Sequence, residues 1–380
     1  MQQQKKNGRH PPHFHQHCAQ AAVVEEEDEE EQRRRRADNN NIPFKRTLLE
    51  NDPKKVYHSR KGQLKTVIHW GQRKLLMSEI EFLHMEPPPL EQRCVVIYAG
   101  AAPGTHVAIL SELFPEHRFI LVDPATFTVR ADGDRIITRQ EMFTDDLAQR
   151  LKVEYEEGWH MLFVPDVRSS DYLLFSKEED ERRIKGDMEA QAQWHTILNP
   201  HKSMLKFRLP YTPGTTRYLK GDILLPVWGP ITTTECRLVV AGGGKKSVGD
   251  DDSGEEEREV VEYDHTEHEQ KMFYFNTVTR PAFYPHGVRG VGIDFCYDCR
   301  AEVGILRSIL GPRAASNRAI ARLSERISAQ ISSSTRTLAH PNPDPEERIR
   351  VIRRRQWAGG ENNGIISSSS STVPAYEIRS

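Results

Sequence analysis

The chain has 380 residues, which is enough for one large domain or two smaller ones with terminal extensions. Its formal net charge of −2 singles out no class of partner. No run of about 18 apolar residues and no secretory hydrophobic region occurs, so we expect neither a membrane span nor export. Five scattered cysteines indicate a reducing compartment. Their single C-x-x-C pair, Cys296 and Cys299, lacks the second pair of a structural zinc site, so we expect no metal.

Both ends of the chain have low-complexity composition. Residues 1–42 run from Gln and His through an acidic block into an arginine run, without a periodic apolar face to offset the entropy lost on ordering. We predict that they are disordered and that residues 43–312 form the globular domain. Residues 313–380 should begin with an amphipathic helix, Ala315–Ile331, and continue as a basic, serine-rich tail.

The first strong helical signal is WGQRKLLMSEIEFLHM, from Trp70 to Met85. Its apolar residues recur every three or four positions, and a proline run ends the helix.

Residues Cys94–Pro124 have the pattern strand, glycine turn, helix, strand. The turn contains Gly100 and Gly104, and Asp123 ends the second strand, at the sheet edge where open α/β folds bind ligands. Glycines let a ligand approach the backbone, and the carboxylate can accept two ribose hydroxyls. The glycine spacing is neither that of a dinucleotide fingerprint nor that of a P-loop. We therefore favour a nucleoside-like ligand such as S-adenosylmethionine (SAM) over a dinucleotide, with an ordinary βαβ unit as the alternative.

Strands and helices alternate in the residues that follow. Strands are predicted at 136–137, 161–164, 204–209 and 233–242, and helices at 145–153 and 188–198. Asp166 follows the second of these strands at the ligand edge, Lys206 and Arg208 lie within the third, and Glu235 lies near the start of the fourth. A lysine inside a strand costs free energy unless its ammonium group finds water or a partner.

The remaining part of the globular region carries a weaker signal. Residues 241–258 form a glycine- and acid-rich insertion that we predict to be mobile. Residues 273–279 and 292–297 are predicted to have strand and loop character.

The order of Lys74, Asp166, Lys206 and Glu235 resembles the catalytic Lys–Asp–Lys–Glu tetrad of the RrmJ/FtsJ-like RNA 2′-O-ribose methyltransferases. Five segments in the same order resemble the poxvirus-type cap-specific mRNA (nucleoside-2′-O-)-methyltransferases and their kinetoplastid cap-4 relatives: GQRKLLMSEIEFL, VVIYAGAAPGTH, PDVRS, SMLKFRLPY and TECRL. In poxviruses this protein also serves as the regulatory subunit of poly(A) polymerase. Lys65, in GQLK at 62–65, is an alternative for the first lysine of the tetrad. Lys74, in GQRK, is favoured because the family-like segment LLMSEIEFL follows it.

The resemblance, which extends over residues 60–297, implies an α/β class with a Rossmann-like SAM-dependent methyltransferase fold: a mixed central sheet with helices on both faces. It also implies SAM as the cofactor. The residues it assigns to SAM are Gln72, Tyr98, Gly100, Gly104, Asp123, Asp166 and Arg168. Ala125 replaces an arginine that the family uses next to the adenosine.

Methyl transfer from a sulfonium to a 2′-hydroxyl is an in-line displacement, which needs alignment and removal of the hydroxyl proton. A neutral lysine amine can take that proton or steer the lone pair. Because a free lysine has a pKa of about 10.4, a second cation nearby is needed to lower it. The resemblance implies Lys206 at the hydroxyl, Lys74 as its neighbour, and Asp166 and Glu235 as the groups that orient the two ammonium ions. A buried salt-bridge network without a catalytic role is the alternative.

An N7-methylguanine cap is a cationic ring that binds between aromatic faces. The resemblance assigns Tyr211 to one face, and Phe44 or Tyr57 to the other. In the family an acid close to this first aromatic residue binds the edge of the guanine, but Pro213 occupies that position here. Glu262 is the candidate to bind the guanine edge instead. The candidates for contacts with the phosphates of the first nucleotides are Arg208, Arg217 and Lys220.

Three functions stay open. The first is SAM-dependent methylation of a ribose 2′-hydroxyl near the 5′ cap of mRNA, including the cap-4 type. The second is a non-catalytic cap- or RNA-binding subunit that stimulates a poly(A) polymerase or another RNA-processing complex; the complete tetrad argues against it. The third, a dehydrogenase, is disfavoured by the glycine spacing. The expected partners are the capped 5′ end of mRNA and other RNA-processing proteins. The terminal segments favour a nuclear location, with a cytoplasmic one if the protein is viral.

Overall fold

The computed structural model describes residues 42–58, 71–90, 92–169, 175–242, 259–290 and 292–334. The predicted disordered segment 1–42 lies outside the described residues except for residue 42, and the insertion predicted at 241–258 does so except for residues 241 and 242, of which Ala241 belongs to a strand. The competing segment at 62–65 and the tail after residue 334 also lie outside the described residues. The domain boundaries at 42 and 312 stay predictions.

The described residues form ten strands, seven α-helices and one π-helix. In chain order they are β1 (Thr47–Leu48), α1 (Gly71–Met85), β2 (Arg93–Ala99), α2 (Val107–Leu113), β3 (His117–Val122), β4 (Ile136–Arg139), α3 (Asp145–Tyr155), β5 (Trp159–Pro165), α4 (Lys177–Leu198), β6 (Lys202–Phe207), β7 (Thr215–Leu219), β8 (Asp222–Leu224), β9 (Cys236–Ala241), β10 (Val260–Asp264), α5 (His265–Tyr274), the π-helix (Phe275–Thr279), α6 (Tyr297–Ala314) and α7 (Asn317–Ser334).

Eight of the strands form one mixed sheet in the order β1-β8-β9-β6-β5-β2-β3-β4. The strands from β6 to β4 are parallel, and β9 runs antiparallel to both of its neighbours. From β2 the chain crosses to β3 and β4 on one side, and later from β5 to β6 on the other. Right-handed crossovers in opposite directions place helices on both faces of the sheet. The predicted Rossmann-like class with a mixed central sheet is therefore confirmed.

Strands β2, β3 and β5 are buried almost from end to end, as expected for central parallel strands covered by helices. Their uninterrupted apolar runs are what made them recognisable in the sequence. The predicted helices at 70–85, 145–153 and 315–331 are confirmed as α1, α3 and α7, within the described residues. No helix in the described ranges has the length and apolar composition needed to cross a lipid bilayer.

The prediction of strand and loop character at residues 273–279 and 292–297 was wrong in part. Residues 273–279 end α5 and form the π-helix, and Tyr297 begins α6. β-Branched and aromatic residues suggested a strand in the first segment. The side chain of Asp264 instead caps α5 by accepting a hydrogen bond from Glu267 N at 2.7 Å, and the helix buries one face at helical spacing.

Three predicted boundaries were wrong by a few residues or more. Helix α4 begins at Lys177 and not at 188, because Ser176 caps it by accepting a hydrogen bond from Glu179 N at 3.2 Å. Strand β6 ends at Phe207, so Arg208 lies beyond it, and β9 begins one residue after Glu235. Strands β7, β8 and β10 were not predicted, because they are short and two of them form a separate hairpin-like pair.

Helix α1 is held by a buried polar network from the two C-terminal helices. Arg73 on α1 forms a two-pronged ion pair with Glu302 on α6 and donates to the Oγ atoms of Ser324 and Ser328 on α7, at 2.9 and 2.7 Å. Trp228 Nε1 also donates to Glu302, at 2.7 Å. Arg73 and Glu302 are almost completely buried, so the pair is shielded from solvent. This network fixes the first turn of α1 against the rest of the domain.

Replacing Arg73 with Ala should destabilise the protein strongly. Removing one partner of a buried ion pair leaves an uncompensated charge and typically costs about 3–5 kcal/mol. The matched control is Arg326→Ala, since Arg326 forms an exposed pair with Glu112, of a kind worth about 1 kcal/mol or less. Urea unfolding of the full chain measures both. Equal free energies of unfolding for the two variants would contradict the role given to the buried pair.

Candidate functional site

The site lies where the chain leaves β2 and β5, at the point from which the crossovers run in opposite directions. In such sheets a ligand crevice opens outside the carboxyl ends of the strands at this position. Asp166 directly follows β5, and its backbone N–H donates to Ala99 O at the end of β2, at 2.8 Å. Gly100 follows, with a φ of +77°, and a Cβ atom there would lie 2.9 Å from the carbonyl carbon of Asp166. Glycine is therefore required for this close approach.

The structure brings the four predicted tetrad residues together as two ion pairs. Lys206 Nζ lies 3.1 Å from Asp166 Oδ1, and Lys74 Nζ lies 2.5 Å from Glu235 Oε1. Lys74 comes from the first turn of α1, and Lys206 from the end of β6, whose parallel pairing with β5 directs it to Asp166. The four side chains expose 15–21% of their area, so they form one cluster that solvent or a ligand can reach.

A fifth charged residue, Arg237, belongs to this cluster and was not assigned from the sequence. Its Nη2 atom donates to Asp166 Oδ1 at 2.9 Å, and its side chain is more deeply buried than the other four. It lies on β9 opposite Lys206 in the antiparallel pairing with β6. Residues two apart in an extended segment share a face, so the segment TECRL already places Arg237 beside Glu235. That alternation is the signal that could have identified it.

The charges in the cluster act on both carboxylates. Burial alone would raise the pKa of Glu235, but the cations of Lys74, Lys206 and Arg237 hold it well below its usual value. Burial likewise opposes ionisation of Asp166, and Lys206 and Arg237 outweigh it, so the pKa of Asp166 is lowered. Both groups are therefore carboxylates near neutral pH. The cluster contains one more cation than carboxylates.

The residues predicted to hold a nucleoside-like cofactor surround the same strand ends. Asp123 at the end of β3 accepts hydrogen bonds from Ala125 N at 2.8 Å and Ala102 N at 3.1 Å, and so fixes the glycine turn. Gly104 has a φ of +71°, and a Cβ atom there would lie 2.8 Å from Val129 Cγ1. The turn is thus closely packed and presents its backbone at the crevice.

Two further cofactor candidates differ in their surroundings. The Oε1 atom of Gln72 is buried and has no hydrogen-bond partner within the described ranges. A buried acceptor without a partner is costly, and a bound ligand with a donor group would satisfy it. Arg168 lies on the exposed side of the crevice. The residues present therefore fit a ligand with both a polar amino-acid-like end and a ribose.

Tyr98, also assigned to the cofactor, is fully buried beneath the glycine turn. Its hydroxyl lies 3.5 Å from His106 Nε2, which in turn lies 3.2 Å from Glu79 Oε1. Burial alone would lower the pKa of His106, but the carboxylate of Glu79 outweighs it and raises the pKa. This buried group was not assigned from the sequence, because Glu79 and His106 are 27 positions apart in the chain and meet only in the fold.

Tyr211 and Arg208 lie together beyond β6. The guanidinium carbon of Arg208 lies 5.4 Å from the centre of the Tyr211 ring, and the Tyr211 hydroxyl accepts a hydrogen bond from Thr234 Oγ1 at 3.4 Å. Thr234 directly precedes Glu235, so Tyr211 borders the charged cluster. Its ring is 39% exposed, which leaves a face available to a planar ligand.

Of the two candidates for a second stacking aromatic, the structure favours Tyr57. Phe44 packs against Tyr297 and Tyr284, with ring centres 5.3 and 5.6 Å away, and belongs to the core. Tyr57 is exposed and contacts only the edge of Phe273, at 5.3 Å, among the ring contacts of the described residues.

The remaining candidates for phosphate and guanine contacts lie on the β7–β10 pair. Arg217 and Glu262 are opposite each other in that pairing, and both are exposed. Lys220 Nζ lies 2.7 Å from Glu259, so its charge is already paired.

The C-x-x-C cysteines lie apart from this cluster. Asp294, Cys296 and Cys299 bring three potential ligand atoms within 4.8 Å of one another. Burial raises the pKa of Cys299 well above its usual value, which opposes the thiolate that a metal needs. The predicted absence of a metal stays a prediction.

Comparisons with known proteins agree on one family. The model of the family described as poly A polymerase regulatory subunit matches residues 45–286. The cap-specific mRNA (nucleoside-2′-O-)-methyltransferase of fowlpox virus (strain NVSL) is 28% identical over 221 residues, which cover 56% of this chain and 68% of that protein. The protein of the same name from myxoma virus (strain Lausanne) is 25% identical over 242 residues, which cover 61% and 67%.

Among solved structures, bluetongue virus VP4, described as a multifunctional RNA-capping production line, aligns with a TM-score of 0.39 and 12% identity. The alignment covers 60% of this chain and 35% of that one. The chain thus spans about a third of the length of VP4.

Replacing Gly100 with Ala should destabilise the protein more than the same replacement at a glycine that has free space around it. The new Cβ atom would collide with the Asp166 backbone, in addition to the strain of a positive φ, which costs about 1–3 kcal/mol. Gly158→Ala is the matched control, because Gly158 also has a φ of +77° but a Cβ there meets nothing within 4 Å. Thermal unfolding compares them. A loss of stability no larger for Gly100→Ala would contradict the close approach.

Glu235 should make stability depend on pH in the acid range. Because its pKa is lower in the folded protein than its usual value of 4.5, its stabilising contribution is present above pH 4.5 and is lost as pH falls through the folded value. Glu235→Gln should therefore be less stable than wild type near neutrality and show a shallower loss in acid. Glu259→Gln, which changes an exposed glutamate, serves as the control. Urea unfolding at several pH values measures the slopes, and identical wild-type and Glu235→Gln slopes would refute the assignment.

Proposed function

Because the chain belongs to the poly A polymerase regulatory subunit family, we propose that it transfers a methyl group from SAM to a ribose 2′-hydroxyl near the 5′ cap of mRNA. Its curated relatives carry the name cap-specific mRNA (nucleoside-2′-O-)-methyltransferase. The observation that carries the proposal is the pair of lysine–carboxylate contacts at the crevice of the sheet, Lys206–Asp166 and Lys74–Glu235, within one cluster.

The crevice offers groups suited to SAM. Asp123 would hold the ribose hydroxyls, and Gln72 would satisfy its unpaired Oε1 atom on the cofactor. Gly100 and Gly104 allow the turn to pack closely against Asp166 and Val129 and so fix the backbone at the crevice. When bound, SAM would supply a methyl group that its sulfonium already activates. The chain's own task is then to position the hydroxyl and accept its proton.

Lys206 is the proposed catalytic residue, because it stands at the end of β6 with its ammonium group held by Asp166. As a neutral amine, Lys206 accepts the hydroxyl proton or directs the oxygen lone pair. Arg237 holds Asp166 in place, and Glu235 holds Lys74 beside the site.

The proposed substrate end is the side of the cluster that Tyr211 borders. Its exposed ring, with Arg208 beside it, would stack on the cationic guanine of a cap, and Tyr57 would supply a second face. Arg217 would contact phosphates of the first nucleotides. The cap-4 type of modification is a finer version of the same proposal.

A second function rests on the description of the family itself. A regulatory subunit of a poly(A) polymerase would stimulate its partner through a separate surface, and the same chain could carry both activities. The named relatives are viral proteins, so they give no support to the nuclear location, which stays a prediction from the terminal segments.

Replacing Lys206 with Ala should lower the rate of methyl transfer to a capped RNA by a factor of about 10²–10⁴, the usual contribution of a positioned acid or base. The matched control is Lys202→Ala on the same strand, since Lys202 pairs with Glu86 at the other end of β6. Its rate should stay close to that of wild type. Transfer of labelled methyl groups from SAM, with SAM binding measured by calorimetry, separates chemistry from binding.

Two outcomes would overturn the proposal. Full activity of Lys206→Ala would remove Lys206 from the reaction. A wild-type protein that binds SAM but transfers nothing to any capped RNA would contradict the enzyme and favour the stimulatory subunit, which a polymerase assay then tests directly.

A further inference from the structure

We infer that a groove on α6, between Arg300 and Arg307, binds phosphate groups of an RNA backbone. The inference rests on the proposed function for the identity of the polyanion as RNA. The groove lies outside residues 45–286, the part of the chain that the family model matches.

The groove is an open depression of about 460 Å³, within the range of roughly 300–1,000 Å³ common for ligand sites. Its lining residues Arg300, Gly304, Arg307 and Ser308 recur at the spacing of one helical face, and Gly311, at a kink of α6, also lines it. A Cβ atom at Gly304 would be in ordinary contact with Arg300 Nη1, at 3.6 Å, so the guanidinium group lies directly beside this glycine.

Among the described residues, neither arginine of the groove, Arg300 or Arg307, is paired with an acid. Burial, and then the charge of Arg307, lowers the pKa of Arg300, as expected for two cations that share a depression. An oxyanion placed between them would relieve this repulsion and accept charge-assisted hydrogen bonds.

Both arginines are also held in place before any ligand arrives. The guanidinium of Arg300 lies over the ring of Phe44, 4.9 Å from its centre, and Phe44 is fixed by the core aromatics. Arg307 Nη2 donates to Asn317 Oδ1 at 3.1 Å, and Asn317 Nδ2 donates to Gly287 O at 2.8 Å. Fixed guanidinium groups lose less side-chain entropy on binding phosphate than free ones do.

The exposed charged side chains of α6 and α7 are mostly arginines, of which Arg326 is paired with Glu112. The charged side chains of α6 and α7 that reach the surface are Arg300, Arg307, Arg313, Arg318, Arg322, Glu325 and Arg326. Asp298 and Glu302, the other acids of these helices, are buried in pairs with Arg280 and Arg73. The apolar face of α7 is buried, which disfavours insertion into a lipid surface. A chain of phosphates fits such a face better than a membrane does.

The groove and the charged cluster share a structural support. Helix α6 packs against α1, which carries Lys74, and the ring under Arg300 belongs to the core next to α1. RNA that enters the cluster by its 5′ end could thus continue along α6. Contacts of this kind raise affinity without reading sequence.

The test compares wild type with Arg300→Ala/Arg307→Ala in binding to an uncapped single-stranded RNA at several salt concentrations. Loss of two phosphate contacts should make the slope of log K against log salt shallower by about 1.4. If wild type and variant bind RNA equally at about 1 M salt, this slope difference makes the variant bind roughly tenfold more weakly than wild type at about 0.15 M salt. Arg150→Ala/Arg182→Ala, which removes two exposed arginines of other helices, should bind like wild type.

Further variants and substrates keep the outcomes distinct. Arg300→Lys/Arg307→Lys keeps the charge and should retain most of the slope, and Arg307→Ala alone should show about half of the change. If Arg300→Ala/Arg307→Ala binds RNA with the wild-type slope, the inference is wrong. Binding of inorganic phosphate without any difference in RNA binding would also contradict it. Failure of wild type to methylate the shortest capped acceptor would reject the proposed function. The comparison of RNA binding by wild type and Arg300→Ala/Arg307→Ala would still test whether the groove binds phosphates.

Discussion

The structure depends on the burial of three cations against two carboxylates at the crevice of the sheet. Lys74, Lys206 and Arg237 surround Asp166 and Glu235, which keep lowered pKa values in spite of their burial. Isolated charges would be too costly at this depth, and paired charges are stable only while every partner stays in place. The positions of α1, β5, β6 and β9 relative to one another are therefore constrained by this cluster.

That constraint explains why distant parts of the chain converge on one helix. The first turn of α1 carries both Lys74, which enters the cluster, and Arg73, which points the other way into Glu302 and α7. Gly229 lies close enough to Lys74 that a Cβ atom there would be 3.6 Å from Lys74 Cδ. The loop around Gly229 is fixed by Arg280, which donates to Gly229 O and pairs with Asp298. Helices α6 and α7, beyond the region that the family model matches, thus support the helix that carries Lys74.

Much of this could be predicted from the sequence, and the reasons are local. The apolar runs of β2, β3 and β5 and the glycine turn fix the parallel core, and polar residues that end buried strands must meet at one edge. The order of Lys74, Asp166, Lys206 and Glu235 then gave the cluster through its resemblance to a known family. Arg237 escaped because its role depends on strand register. The Arg73–Glu302 pair was missed because its members lie far apart in the sequence. The end of α5 and the π-helix were mistaken for a strand because residues 273–279 are rich in aromatic and β-branched side chains, which favour strands.

In the proposed function, the charged cluster directs a methyl group to a ribose oxygen at the start of an RNA. The most direct measurement is to incubate capped RNA with the wild-type protein and SAM, digest the product to nucleosides, and locate the added methyl by mass spectrometry. We expect a methyl group on the ribose 2′-oxygen of a nucleotide near the cap. A methyl group on a base, or only on nucleotides remote from the cap, would contradict it.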